Sequence, residues 1–509
     1  MFAFIKNFIK FIMSRFFIIS ILILIQIALI FFLFYQIAGV GLPVYFTFQI
    51  IGVFTSLIIL NRHFNPAYKI SWIFIILVFP IIGVGFYIIF GRVRLSKSKE
   101  ERIKQTMNHN NYIIDNDFHV LKAIEDPSLQ KIVNFIEFAT DCKVYKNTKT
   151  KLLTPGKVFF SELILALKQA KHYIFMEYFI IQDGLMWQTI VDILIEKAKD
   201  GLDVRLIFDD FGCIHKTSRN FKKILTSQGL KVVNFNPFRP KLSSFMNYRD
   251  HRKTTVVDGK IGFLGGINLS DEYINQIERF GHWKDTSVRL EGGAVRTLAI
   301  LFIQLWEFST KEHMNINEYL PDEEYTDAGI VQVFGDSPFS SFQVTENVYI
   351  SLLNHAKKTA YIMTPYLILD NELLSAILMC ARSGVDVRIF TPHIPDKKIV
   401  FYVTQSYYTD LLEAGVKIYE YLPGFLHSKC MAVDDEVGVV SSANLDYRSL
   451  YLHLEVSAFM IHTQAVDELV EDFSHLIDVS MPISLKDMKN QSFFKKVIVF
   501  FLKVFSPLL

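Results

Sequence analysis

The sequence predicts an α/β protein, two copies of one α/β unit preceded by a transmembrane helical region. Three observations carry this reading. Long uncharged apolar stretches are confined to the first 90 residues, a pattern recurs at a separation of more than 180 residues, and one polar motif occurs once in each copy.

Taken in chain order, the apolar region comes first. No charged residue occurs from Phe16 to Leu60, 45 positions. That is too long for one crossing and suits two, with Gly39–Pro43 as the turn. A third uncharged stretch, Ile70 to Phe90, has 21 positions and is interrupted by Pro80, Gly83 and Gly85. About 20 apolar residues cross a hydrocarbon core, so each stretch is long enough. Basic clusters flank all of them: Lys6, Lys10 and Arg15, then Arg62 and Lys69, then Arg92, Arg94, Lys97 and Lys99. Every cluster favours the cytoplasmic side. Three full crossings cannot satisfy all three, so either one cluster faces outward or the Pro80 segment does not fully cross. The expected plan is an anchor of two or three transmembrane helices over 1–92 and a linker over 93–135. The two copies follow over 136–325 and 326–480, and a terminal helix over 481–509.

The soluble region alternates helix and strand signals. Ser161–Lys171 and Thr189–Lys199 read as helices, and His172–Ile181 and Asp203–Phe208 as buried strands. The pattern then repeats. The run from Ala198 to Phe208 resembles that from Ala381 to Thr391, and Tyr173–Tyr178 resembles Tyr361–Tyr366. Solenoid repeats run about 20–50 residues, so a spacing this long means two similar domains.

Each copy carries H-x-K-x4-D, as His251, Lys253 and Asp258 and as His427, Lys429 and Asp434. An asparagine follows each histidine by 17 positions: Asn268 after Gly265–Ile267, and Asn444 after Ser441–Ala443. The flanking residues favour strands, where positions i and i+2 share a face. Each histidine therefore projects beside its lysine, a nucleophile next to an anion holder. Asp258 has the other parity and precedes Gly259, so it is expected to brace a turn. Asn268 and Asn444 can donate amide hydrogen bonds to phosphate oxygens. Ser442 offers a hydroxyl to the phosphate where the first copy has Gly266, so the two half-sites are not equivalent.

These paired motifs resemble the signatures of the phospholipase D superfamily. The resemblance implies two α-β-α domains packed so that both motifs line one active site. It implies a two-step transfer, one histidine attacking phosphorus to form a phosphohistidine and the other serving as acid and then base. The lysines and asparagines would hold the non-bridging oxygens, and neither a metal nor a cofactor is implied. The family's usual order suggests His251 as nucleophile and His427 as acid and base, an order the residues alone leave open. A carboxylate further along orients each family histidine. Glu455, in the run Tyr447–Glu455, is the candidate for His427, and Asp285, in His282–Thr286, the candidate for His251.

Within the superfamily the chain is most similar to cardiolipin synthases. The likeness lies in Asn65–Trp72, Phe79–Gly83, Tyr87–Arg92, Gly265–Asn268, Trp283–Asp285, Asn444–Ser449 and Ser506–Leu509. It implies that two phosphatidylglycerols are joined with release of glycerol. A hydrolytic phospholipase D, transfer to another headgroup alcohol, and a catalytically idle lipid-binding scaffold are the alternatives. The implied partners are phosphatidylglycerol, other anionic phospholipids and the membrane. Nucleic acid is not expected, since 53 Lys and Arg balance 51 Asp and Glu. The four cysteines form no C-x-x-C pair, which argues against a zinc site or a disulfide framework. The expected location is the cell membrane, multi-pass, with the catalytic domain on the cytoplasmic face where phosphatidylglycerol precursors are supplied. From Lys486 to Phe505, Lys489, Lys495, Lys496 and Lys503 gather on one helical sector, which reads as a basic amphipathic helix on anionic lipid.

Overall fold

The computed structural model describes residues 41–62, 65–91, 118–237, 247–320, 329–340 and 342–508, with isolated positions at 21, 24–29, 32 and 101. The expected first crossing, apart from those positions, and the clusters at Lys6–Arg15 and Arg92–Lys99 lie outside the described residues. The chain divides into two compact units: Met1–Glu100 with Phe238–Tyr248 and Val504–Leu509, and Glu101–Pro237 with Arg249–Lys503.

The larger unit holds the repeat. Its first half contributes β1 (Thr148–Leu153), β2 (Tyr173–Tyr178), β3 (Asp203–Asp209), β4 (Lys231–Phe235), β5 (Arg249–Asp250), β6 (Lys253–Val257), β7 (Ile261–Gly265), β8 (His282–Lys284) and β9 (Ser287–Gly292). The second half contributes β10 (Ile330–Asp336), β11 (Thr359–Met363), β12 (Asp386–Pro392), β13 (Lys417–Tyr421), β14 (Gly424–Leu426), β15 (Cys430–Val433), β16 (Val437–Ser441), β17 (His453–Ile461) and β18 (Ser480–Ile483). One sheet runs β1-β9-β7-β6-β2-β3-β4 and the other β10-β17-β16-β15-β11-β12-β13-β18. Through seven strands the order is the same, with β2, β3 and β4 parallel as β11, β12 and β13 are. The expected doubled α/β fold is the observed one. Its central strands β2, β6, β15 and β16 are buried along their whole length, because both faces are covered. The halves share one core, in which Phe175, Leu298 and Phe302 join Val333, Val456 and Phe473.

Two short ladders run between the halves. Parallel β5 pairs with the start of β17, His453 opposite Arg249, and parallel β8 pairs with β14, Trp283 opposite Phe425. They determine the site described below.

In the smaller unit, the helix Gly41–Leu60 has 20 residues, about 30 Å. It is the one helix among the described residues long and apolar enough to cross a membrane. The third apolar stretch departs from expectation, because it forms no continuous helix. Asn65 caps a helix over Pro66–Val78, which stops at Phe79 (φ −128°, ψ 73°). Pro80 opens a second helix, Pro80–Phe86, prolonged by a π-type turn over Tyr87–Gly91. The chain doubles back between them. A Cβ on Gly83 would lie 2.6 Å from Ile76 Cα, and one on Gly91 would lie 3.1 Å from the Trp72 ring. In a straight helix those pairs would be about 10 Å and about 28 Å apart. The tip of this hairpin meets the middle of Gly41–Leu60, where Gly52 packs on Ile76 and Pro80. Its base meets the other end, where Lys69 Nζ donates to Leu60 O at 3.1 Å. Neither limb is long enough to cross a bilayer alone. In this same unit, Ser71 Oγ donates to Val504 O at 2.6 Å.

The expected single C-terminal helix is two. Leu485–Lys489 carries a capping box between Ser484 and Asp487, and Phe493–Phe505 follows after a break. Asn490 closes the first helix, and Ser492 opens the second, its hydroxyl accepting from Lys495 N–H at 3.3 Å.

Candidate active site

Both motifs sit where a short ladder runs into a central strand of a sheet, β6 in the first half and β15 in the second. His251 follows β5 and its N–H donates to Leu454 O at 2.9 Å; His427 follows β14 and its N–H donates to Lys284 O at 2.7 Å. The next residue along each partner strand is a carboxylate, so each histidine faces the acid of the opposite half. His251 Nδ1 lies 2.8 Å from Glu455 Oε1, and His427 Nδ1 lies 2.6 Å from Asp285 Oδ2. This corrects the expected pairing, which matched Asp285 with His251 and Glu455 with His427. The cause is the pair of ladders between halves, a long-range contact that spacing along the chain does not encode. An anionic carboxylate at Nδ1 fixes the proton there and leaves Nε2 with the lone pair.

The motif lysines are buried beside the histidines. Lys253 Nζ donates to the carbonyl of His251, and Lys429 Nζ to that of His427. Lys429 Nζ is also 2.9 Å from His427 Nδ1. Burial pulls Lys253 down to about 7 against the attraction of Glu455, and Lys429 down to about 8 against that of Asp285. Lys253 feels the charges of Lys429 and Asp285, so the two motifs form one electrostatic site. Burial also holds His251 well below the usual histidine range, with Lys253 adding to the effect, and brings His427 to about 4 with help from Lys429. Burial would raise Glu455, but His251, His453 and Lys253 outweigh it and keep the carboxyl far below its usual range. Burial disfavours the charge on both lysines, and a phosphate placed between the two motifs would favour it.

The remaining candidates divide. Asp258 accepts from the backbone N–H groups of Lys171, His172 and Tyr173 at 2.8 Å each, and Asp434 from Lys357, Lys358 and Thr359 at 2.7, 2.7 and 2.9 Å. Both have φ +53° and sit five residues past the lysine, about 16 Å along a strand, where they brace the sheet's far end. Asn268 accepts from Ile180 N–H at 2.9 Å and donates to the Tyr273 hydroxyl at 2.7 Å. Asn444 is buried and its Oδ1 has no hydrogen-bond partner among the described residues. Ser442 departs from expectation. Its hydroxyl donates to Glu455 and accepts from Val456 N–H at 3.0 Å, so it holds the carboxylate behind His251 rather than a phosphate. In the first half that space is filled by Asp285 itself: a Cβ on Gly266 would lie 2.1 Å from Asp285 Oδ1.

The sequence reading missed the rings around the histidines. Phe179 and His453 flank His251 at 4.8 and 5.1 Å between centroids, and Tyr273, Trp283 and Phe425 enclose His427 at 5.5, 5.3 and 5.6 Å. His453 and Trp283 stand two residues before Glu455 and Asp285, so strand parity could have found them. His251, His453 and Glu455 offer donor atoms within 4.8 Å of one another, close enough for a cation. Glu455, however, is already committed to His251 and Ser442, and two lysines stand nearby.

The family described as cardiolipin synthase, PLD-like domain matches residues 163–279 and 349–477, and that described as phospholipase D-nuclease N-terminal matches 50–92. A cardiolipin synthase of Alkalihalophilus pseudofirmus is 37% identical over 485 residues, covering 92% of this chain and 94% of the relative. Cardiolipin synthase 2 of Bacillus anthracis is 35% identical over 460 residues, covering 88% of each. An uncharacterised protein of Streptococcus mutans is 39% identical over 457 residues, covering 89% of this chain and 99% of the relative. The crystal structure of a phosphatidylserine synthase from Haemophilus influenzae Rd KW20 superposes with TM-score 0.54 at 17% identity, over 71% of this chain and 93% of that one, a likeness of fold.

Proposed function

This chain belongs to the cardiolipin synthases of the phospholipase D superfamily, and from that premise we propose that it joins two phosphatidylglycerols at the site of His251 and His427. The single observation that carries the assignment is the pair of buried histidines, each held at Nδ1 by a carboxylate of the opposite half and flanked by a buried lysine. In the first step His251 Nε2 attacks the phosphorus of the donor. The N–P bond forms, the P–O bond to the headgroup glycerol breaks, and protonated His427 gives its Nε2 proton to that oxygen. The donor's phosphate anion favours the charged form of His427, which burial otherwise disfavours. In the second step neutral His427 takes the proton of the acceptor's glycerol hydroxyl. That oxygen attacks phosphorus, the N–P bond breaks, and cardiolipin leaves. Lys253, Lys429, Asn268 and Asn444 stabilise the charge that builds on the non-bridging oxygens. Residues 136–325 and 326–480 are the two catalytic domains of this reading.

Purified enzyme in liposomes with labelled phosphatidylglycerol tests the reaction. Cardiolipin and free glycerol in equal amounts are expected. Phosphatidic acid as the main product would make the enzyme a hydrolase instead.

For the membrane region we infer two crossings followed by a re-entrant hairpin at Pro66–Gly91. A hairpin returns to the side it left, so the positively charged segments before residue 16, at 62–69 and at 92–99 all become cytoplasmic, as the distribution of lysine and arginine favours. The catalytic domains then face the cytoplasm. Single cysteines at positions 62 and 99 should both resist a membrane-impermeant thiol reagent in intact cells, and labelling of either alone would restore a third crossing.

A further inference from the structure

We propose that the helix Phe493–Phe505 lies in the bilayer interface through its phenylalanine face, and that its lysines do not hold it there. The inference rests on the membrane-anchored reading above and assigns a second, separate lipid contact. Phe493, Phe494, Phe500 and Phe501 are 75%, 79%, 70% and 53% exposed, and Val497 and Ile498 stand among them at 37% and 48%. At 100° per residue these six side chains fill a continuous arc of roughly 160°. A solvated helix of a soluble unit does not present four phenylalanines on one face.

The lysines point elsewhere. Lys495 Nζ donates to Gln405 Oε1 at 2.6 Å and lies over the Tyr402 ring at 5.3 Å. Lys503 pairs with Asp410 at 3.3 Å and lies over Tyr407 at 5.1 Å. Lys496 Nζ donates to Lys489 O at 2.7 Å. The basic sector is thus largely spent on the protein, and the expectation of a lysine-bound helix on anionic lipid is inverted. The occupant that fits is a bilayer. The face is uniformly apolar, with no carbonyl or charged group to specify a protein partner, and Lys496 and Lys503 border one edge, the arrangement of an interfacial helix. The chain also carries its own transmembrane helix, so a bilayer is always present. The residues that directly follow Lys503, Val504–Leu509, belong to the unit containing that helix.

The test uses the full chain in liposomes of phosphatidylglycerol and phosphatidylethanolamine. Single fluorophores are attached at Phe494→Cys, Phe501→Cys, Phe54→Cys on the transmembrane helix, and Lys222→Cys on an exposed helix of the larger unit. The four native cysteines are buried, so the introduced thiols react first. Spin-labelled lipid should quench the fluorophore at 494 and 501 at least about twofold more than at 222, with no loss in roughly 0.5 M salt. Quenching at 54 without quenching at 494 overturns this inference and leaves the anchor intact. Absence of quenching at 54 overturns the anchor instead. Quenching at 494 that salt abolishes would return the contact to the lysines. Crosslinking between copies through 494, without quenching, would make the face a protein interface.

Discussion

At the scale of single residues, the crossed pairing separates the roles of two carboxylates that look alike in sequence. Glu455 serves the proposed nucleophile and Asp285 the proposed acid and base. Both substitutions to the amide, Glu455→Gln and Asp285→Asn, should lower turnover of phosphatidylglycerol by about 10²–10⁴-fold, the usual range for general acid–base support. They should differ with a p-nitrophenyl phosphodiester, whose leaving group needs no proton. Asp285→Asn should then release p-nitrophenolate and accumulate phosphoenzyme, whereas Glu455→Gln should form none. Accumulation in Glu455→Gln alone would exchange the two histidines. The lysines add a pH dependence. Burial lowers Lys253 to about 7 and Lys429 to about 8, so in the free enzyme each loses its proton as pH rises through those values. The anion cradle is charged well below pH 7 and loses that charge in two steps as pH rises through about 7 and about 8. With the p-nitrophenyl phosphodiester, which needs no proton from His427, the plot of kcat/KM against pH, which reports the free enzyme, should fall on its alkaline side between about 7 and 9. An alkaline limb near 10, the ordinary lysine range, would mean the lysines are solvated.

At the scale of elements, the sequence carried the repeat and most strands. His251, Lys253 and Asn268 could be placed because a strand's period of two and a 17-residue interval recur in His427, Lys429 and Asn444, and the identical sheet order is the structural form of that recurrence. Three features were not legible. The partner of each histidine is chosen by ladders between segments about 200 and 140 residues apart in sequence, which no local pattern specifies. The fold-back at Phe79–Pro80 requires Gly83 to touch the backbone of Ile76, and an apolar stretch reads the same whether straight or folded. Ser442 looked like a phosphate ligand because its role depends on Glu455 approaching from β17. The Gly266–Asp285 contact tests this element-level design. Gly266→Ser would copy the residue of the other half, yet its Cβ would meet Asp285 Oδ1 at 2.1 Å and push the carboxylate off His427. About a 100-fold loss of turnover is expected, the scale of a 1 Å misplacement, with thermal stability lowered by only about 1–3 kcal/mol. Activity near that of the parent would show that Asp285 does not need its present position.

At the scale of the whole molecule, neither half of the larger unit holds a complete site. The first half supplies His251 and Lys253 but borrows Glu455; the second supplies His427 and Lys429 but borrows Asp285. The shared core makes that exchange permanent, because Phe175 and Phe302 from one half and Val456 and Phe473 from the other are buried in the same cluster. The arrangement suits a reaction with two half-steps, since His427 gives up a proton in one and takes one in the other while His251 gains and then loses the phosphoryl group, and a carboxylate on the far strand steadies each ring. It also predicts how defects combine. Both histidines act within one chain, so a mixture of His251→Ala and His427→Ala proteins contains no complete site. Co-reconstituted in one liposome, the two variants should show no more cardiolipin synthesis than either alone. If the halves were exchanged between copies, random pairing would rebuild about a quarter of the sites with both histidines intact. Recovery near that level would therefore overturn the intramolecular site, and its absence, with both variants folded and membrane-inserted, would confirm that one chain builds one complete centre.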